Sequence, residues 1–401
     1  MKSLKELYKV GKGPSSSHTM GPYKACRIFK EEHPEAVFFR VVLYGSLAQT
    51  GKGHQTDAAC IQAFEPVSCR VIFHTEEDVS LKHENTMELF AFDKEERQTG
   101  RMRVLSVGGG DISIEGRLEL EPPEVYGENT FQEIAAYCRS RNMRLSGYVF
   151  EKEGEGIREY LSSVWQAMQD AVQAGLRREG VLPGGLGVER KARKLYTQGR
   201  MDESRETKEN RLVCAYAFAV SEENASCGTI VTAPTCGACG VVPAVLKYMQ
   251  EIKGYSDSRI VEALAAGGII GNLVKQNASV SGAECGCQAE IGTACAMASA
   301  ALGELRKMDL GQVEYAAEVA LEHHLGLTCD PVCGLVQIPC IERSAVAAMR
   351  AVNAVNLAGF LAETGKISFD TVVRTMYETG RDMHRNYRET SKGGLAKMYE
   401  R

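Results

Sequence analysis

Residues 260–275 read IVEALAAGGIIGNLVK, a run that is apolar nearly all round and rich in alanine and glycine. A helix without a polar face has no side to turn to water, so it must be surrounded by other elements. EIGTACAMASAALGEL (290–305) and SAVAAMRAVNAVNLAGFLAE (344–363) have the same character, and their small side chains allow close packing around one core. In REYLSSVWQAMQDAVQAGL (158–176), Tyr160, Val164, Met168, Val172 and Leu176 recur every four residues, the period of an amphipathic helix. The spacing predicts an all-α domain over 129–401.

The earlier stretch has a different period. FFRVVLYGS (38–46) and SCRVIFHT (68–75) are short β-branched and aromatic runs, and TMELFAFD (86–93), RMRVLSVGGG (101–110) and DISIEGRLEL (111–120) read as a strand meander. A helix is expected over Met20–Glu32, started by Pro22 and the Ser/Thr cluster before it. EPPEVYGEN (121–129) breaks the pattern, so the boundary falls there. The expected fold class is α+β: a small N-terminal α/β domain, 1–128, followed by the all-α domain. A length of 401 residues suits two domains.

Net charge near −5 leaves no basic footprint for nucleic acid. No run of about 18 apolar residues is free of charge, so no membrane span is expected. The N-terminal MKSLKELYKVGKG has charges throughout and lacks the apolar core of a secretory signal, so the cytoplasm is the expected compartment.

Fourteen cysteines in such a chain do not suggest a disulfide framework. Cys26, Cys60, Cys138, Cys214 and Cys295 sit among apolar residues and read as small hydrophobes. Others lie beside Gly and Pro in the loops TAPTCGACGVVPA (232–244), SGAECGCQAE (281–290) and GLTCDPVCGLVQIPCIER (326–343). Neither a ferredoxin run nor a zinc ribbon is present. Dispersed thiolates at the ends of buried helices suit a cluster with one position free, able to polarise a bound oxygen. A zinc enzyme with Cys and His ligands, or a non-catalytic redox sensor, uses the same residue types. Far upstream, GKGPSSSHTMGPYKA (11–25) gathers hydroxyls around one imidazole, either a helix cap or a wall of a polar pocket.

The chain resembles the bacterial iron–sulfur L-serine dehydratases (L-serine ammonia-lyases) along nearly its whole length. The resemblance lies in GPSSSHTMGP (13–22), YGSLAQTGKGHQTD (44–57), EGVLPGGLGV (179–188), SEENAS (221–226), TAPTCGACGVVPAVL (232–246), SGAECGCQAEIGTAC (281–295) and LGLTCDPVCGLVQIPCIER (325–343). It implies a [4Fe–4S] cluster ligated by Cys287, Cys329 and Cys340, with the fourth iron left for substrate. It also implies active-site histidines at His18 and His54, with SSSHT as one wall of the pocket. L-serine is the implied substrate, L-threonine or L-cysteine the nearest alternatives; no pyridoxal phosphate is needed, and a homodimer is expected. Ser15, Ser16, Ser17 and Thr19 are candidate substrate contacts that also serve as caps. Asn224 and Thr235, in small-residue loops, are candidates of the same kind. Cys236 and Cys239 depart from the family pattern, and Cys285 and Cys333 lie close to the implied ligands. The chain's last residues, KMYER, hold no cysteine to enter the site.

Other features have plainer readings. Lys52 is either a surface lysine or a carboxylate partner. His323 and His324 point apart on a helix and are expected at its end. VGGGD (107–111) is expected to be a turn, and Cys236-Gly-Ala-Cys239 lacks a thioredoxin-like context.

Overall fold

The structure is a computed structural model that describes residues 1–75, 81–117, 122–199 and 202–399. A short strand, β1 (Val10–Lys12), leads to a π-helical turn at Ser16–Met20 and helix α1 (Gly21–Glu32). The run FFRVVL becomes β2 (Phe38–Leu43), which buries Phe39, Val41 and Leu43 and leaves alternate residues half covered, as a period of two requires. Helices α2 (Gly45–Thr50) and α3 (Thr56–Phe64) carry the chain to β3 (Ser68–Phe73), parallel to β2. The meander follows as β4 (Thr86–Phe92), β5 (Gln98–Gly108) and β6 (Asp111–Ile114), giving a sheet ordered β3-β2-β4-β5-β6. Gly109 and Gly110 take positive φ in the β5–β6 turn, so VGGGD is a turn as expected. Of the run 111–120, the strand reaches Ile114; residues 118–120 lie outside the described residues. Phe29 of α1 and Phe64 of α3 pack on Phe39 to form the core of this layer, where Cys26 and Cys60 act as small apolar side chains.

The helical body begins with α4 (Phe131–Ser140), α5 (Leu145–Glu153), α6 (Ile157–Arg177), α7 (Ala192–Thr197) and α8 (Arg205–Ala225). After a short strand, β7 (Thr229–Val231), come α9 (Val241–Lys253), α10 (Asp257–Asn277), α11 (Gly282–Cys285), a second π-helical turn at Gln288–Gly292, and α12 (Thr293–Leu305). Helices α13 (Leu310–Glu322), α14 (Cys340–Leu361), α15 (Phe369–Asp382) and α16 (Gly394–Met398) complete it. The all-round apolar runs are central: every residue of α12 is buried, and α10 is buried from Ala263 to Val274. Their glycines are there for approach, since a Cβ on Gly267 would meet the Met297 carbonyl oxygen at 2.7 Å. The stretch Cys340–Thr364 is long and apolar enough to cross a membrane by length and composition. It carries Glu342, Arg343 and Arg350, and its helix packs on α8, α9, α12 and α13.

The N-terminal residues belong to this second core. Met1, Leu4, Leu7 and Tyr8 are buried with the helices, and the Tyr8 hydroxyl donates to the Leu264 carbonyl oxygen at 3.0 Å. Strand β1 pairs antiparallel with β7. After the sheet, the chain comes back to the same place, where the Val125 and Tyr126 amides donate to the Met1 carbonyl oxygen. The α/β layer is thus an excursion pinned at both ends to the helical body. Asp111 of β6 adds a third tie by pairing with Lys275 of α10 at 2.8 Å and with Lys9.

Candidate functional site

Two histidines come from the α/β layer. Ser15 caps the first π-helical turn by accepting from the His18 amide at 3.0 Å, and the Met20 amide closes the turn on the Ser15 carbonyl oxygen. His54 lies between α2 and α3, just before Gln55 in the left-handed region. Thr19 Oγ1 donates to the His54 carbonyl oxygen at 2.8 Å, which ties the two segments together and sets the rings 4.4 Å apart. π-helical turns are uncommon and often mark functional positions.

The hydrogen bonds determine which ring nitrogens are free. His54 Nδ1 lies 3.1 Å from the Thr50 carbonyl oxygen, which can only accept, so Nδ1 carries the hydrogen and Nε2 is bare. Ser46 Oγ donates to the Glu389 carbonyl oxygen and accepts from His18 Nε2 at 3.0 Å, leaving His18 Nδ1 bare. Both bare nitrogens are buried and unpartnered. Each lies 3.7 Å from Glu389 Oε1, beyond hydrogen-bond length.

The cysteines come from two segments of the helical body, the turn after α11 and the connection from α13 into α14. Cys287 follows Gly286, whose φ is +72°, and precedes the second π-helical turn. Cys329 lies after α13 and is tied to the C-terminal segment: its amide donates to the Tyr387 carbonyl oxygen and its carbonyl oxygen accepts from the Glu389 amide, both at 2.8 Å. Cys340 is the first residue of α14, where the helix terminus favours a thiolate. One enclosed cavity is lined by Ser15 and His54 from the α/β layer and by Cys287, Glu290, Cys329, Cys340 and Glu389 from the helices. The layers touch backbone to backbone beside it: a Cβ on Gly53 would meet the Gly334 carbonyl oxygen at 2.6 Å, so the loop before His54 lies flat on the loop between Cys329 and Cys340.

Burial dominates the electrostatics. It pushes His54 down to about 4, against the bond to Thr50, and holds His18 well below its usual value, helped by the charge of His54. The Cys287 thiol and burial together push Cys329 up, and burial and Cys287 do the same to Cys340 against the nearby Arg343 guanidinium. Glu389 is held well above the carboxylate range by burial and then by the charges of Glu290 and Cys287. The Cys329 and Cys340 thiols thus resist ionising in this cavity, and a bound metal cation removes that resistance. Ligand atoms of Cys287, Glu290 and Cys329 lie within 4.8 Å of one another, with Cys340 lining the same cavity, so the donor set fits a thiolate-held metal centre.

The structure brings together Ser15, His54, Cys287, Cys329 and Cys340, and sets the His18 ring against that of His54, outside the cavity lining. Other candidates bond to the protein. The Ser17 carbonyl oxygen accepts from Ser106 Oγ, the Ser16 carbonyl oxygen accepts from the Gly21 amide, and Thr235 Oγ1 donates to Glu290 Oε1 at 2.6 Å. Asn224 is not in a loop as expected but in the last turn of α8, because the chain leaves the helix only at Ser226 and turns left-handed at Cys227. Its Nδ2 donates to the Pro14 carbonyl oxygen at 2.9 Å. Cys236 Sγ lies against Met20 Sδ, Cys285 packs on Gly380, Cys239 is buried, and Cys333 is exposed; none lines the cavity. Lys52 is a surface lysine paired with Asp57, and His323 and His324 end α13 by bonding back to Val319 and Ala320. Sequence reasoning missed Glu290, Arg343 and Glu389. Glu290, three residues after Cys287, had a positional signal; Glu389 had none.

One of the quoted motifs, SEENAS, is scaffold. Glu223 of SEENAS is buried and takes Arg178 and Arg190 at 2.8 and 2.9 Å, and Arg190 also donates to Ser226 Oγ. This clamp fixes the end of α8 beneath Pro14. Arg190→Ala is expected to cost about 2–3 kcal/mol, because Glu223 stays buried with one partner removed; a lowered urea midpoint at unchanged slope is the measurement.

Comparison with known proteins divides the chain into two matched parts. The serine dehydratase beta chain family matches residues 3–70 and the serine dehydratase alpha chain family matches residues 76–396. The L-serine dehydratase of Haemophilus influenzae is 40% identical over 99% of both chains, L-serine dehydratase 1 of Escherichia coli K12 is 41% identical over 99% of both, and the L-serine dehydratase of Helicobacter pylori 26695 is 37% identical over 98% of both. The chain therefore belongs to the serine dehydratase family, with its beta-chain and alpha-chain domains fused in one polypeptide.

Proposed function

We propose that the protein is an L-serine ammonia-lyase, converting L-serine to pyruvate and ammonium with a [4Fe–4S] cluster held by Cys287, Cys329 and Cys340. The observation that carries this reading is the meeting, in one enclosed cavity, of thiols from two separate segments of the helical body with an imidazole from the other domain. Relatives named L-serine dehydratase support the substrate. Three thiolates leave one iron of a four-iron cluster without a protein ligand, and when bound the cluster supplies that iron as a Lewis acid for a substrate oxygen.

The chain's own residues do the rest. His54 is neutral at pH 7, its Nδ1–H is fixed on Thr50, and its bare Nε2 takes the α-proton. His18 packs against the ring at 4.4 Å. Ser15 lines the wall with its own hydroxyl held by the His18 amide. Loss of the α-proton and the β-hydroxyl gives water and 2-aminoacrylate, which tautomerises to an imine and is hydrolysed to pyruvate and ammonium. No electrons enter or leave.

The test is a strictly anaerobic preparation assayed for pyruvate from L-serine, then reassayed in air and after ferrous iron with a thiol. Activity that dies in air and returns with iron is expected. Air-stable activity in colourless, zinc-replete protein would overturn the cluster, and brown protein that makes no pyruvate would overturn the substrate.

A further inference from the structure

The cavity holds two carboxylates, half-buried Glu290 and buried Glu389, and among the described residues neither forms an ion pair with a lysine or arginine. Burying a carboxylate without a counter-charge is costly. Glu290 has a partial answer in the hydroxyl of Thr235. For Glu389, no hydrogen bond reaches the carboxylate among the described residues; the two bare imidazole nitrogens lie beside it, both at 3.7 Å. Its backbone is fixed by Cys329 and by Ser46 Oγ, so the carboxylate is held at the cavity wall rather than left to swing away.

We infer that Glu389 is the receptor for the α-ammonium group of the substrate, and so the residue that selects amino acids over their deaminated analogues. This rests on the lyase reading above. An ammonium group donating to Glu389 at ordinary hydrogen-bond length sets the adjoining Cα–H beside His54 Nε2, 3.7 Å from the same carboxylate oxygen. One residue then binds the charge that defines an amino acid and aims the proton to be removed. Glu290 lies at the other end, grouped with Cys287 and Cys329. The trio His18, His54 and Glu389 also has the spacing for a metal ion, but an ion there would occupy both bare nitrogens and leave the α-proton without an acceptor.

The experiment uses anaerobically prepared holoenzyme, with iron and sulfide matched between variants. Calorimetric titration compares L-alanine with propanoate, which differ at Cα only by the ammonium group and cannot undergo elimination. The wild type is expected to prefer L-alanine by about 10- to 100-fold, the range for a hydrogen bond to a charged group. Glu389→Gln should lose most of that preference and raise the KM for L-serine, whereas Glu290→Gln should keep the preference. Glu389→Asp, which retains the carboxyl group, should keep part of it and carries the test if the Gln variant fails to fold. Preference retained in Glu389→Gln, lost in Glu290→Gln, or absent from the wild type would overturn the inference, as would a metal ion beyond the cluster that disappears with Glu389. Failure of the wild type to make pyruvate would instead count against the lyase reading, and it is seen before any variant is made.

Discussion

Cys329→Ala is expected to lose bound iron and turnover together, and Cys287→Ala and Cys340→Ala are expected to do the same. Each thiol lines one cavity from its own backbone position, Cys287 before the second π-helical turn, Cys329 in the α13–α14 connection and Cys340 at the start of α14, so none can be replaced by a neighbour without moving backbone. The nearest alternatives are turned elsewhere: Cys285 packs on Gly380 and Cys236 against Met20. Cys285→Ala and Cys236→Ala are therefore expected to keep a full complement of iron and sulfide. If Cys329 were only a small buried hydrophobe, its loss would be an ordinary core substitution of about 1 kcal/mol, with iron unchanged. Iron and sulfide content with the visible absorbance separates the two cases directly. A variant at any of the three positions that kept iron and rate would remove that residue from the ligand set.

What could be read in advance follows the reach of each physical signal. Helices α10 and α12 were legible because an apolar face all round admits only a central position, and β2, β4 and β5 because alternation and β-branched runs are local properties. The three cysteines were legible through seven motifs in order, since their spacing alone matched no metal pattern. The π-helical turn that turns His18 inward was not, because five-residue closure has no distinctive local sequence. Nor was the pairing of β1 with β7, which joins residues more than two hundred positions apart. Glu389 is the clearest case: sixty residues after Cys329, it enters the site through backbone bonds between Cys329 and residues 387–389 and through Ser46 Oγ of the other layer. The serines show the converse. Hydroxyls before a helix suggested substrate contacts, yet only Ser15 reaches the cavity, while Ser17 and Thr19 hold the two histidine segments in place.

That division of labour predicts unequal consequences at the two histidines. His54→Ala is expected to keep the iron and lower kcat by about 10² to 10⁴, the range for a lost acid or base. Its Nε2 is bare, unpartnered and at the cavity wall, and its Nδ1–H is already committed to Thr50. His18 is outside the lining and hydrogen-bonds to Ser46, so His18→Ala should act through the position of the His54 ring and cost less. The readout that separates proton transfer from positioning is the isotope effect with α-deuterated L-serine. When the base is removed, Cα–H cleavage becomes the slow step, so the effect should grow in His54→Ala and added imidazole should restore part of the rate. In His18→Ala, where the base remains, imidazole should do nothing. A His54→Ala variant with wild-type rate would end its assignment as the base. Larger loss and imidazole rescue at His18 would transfer the role to the other ring, whose bare Nδ1 stands the same 3.7 Å from Glu389.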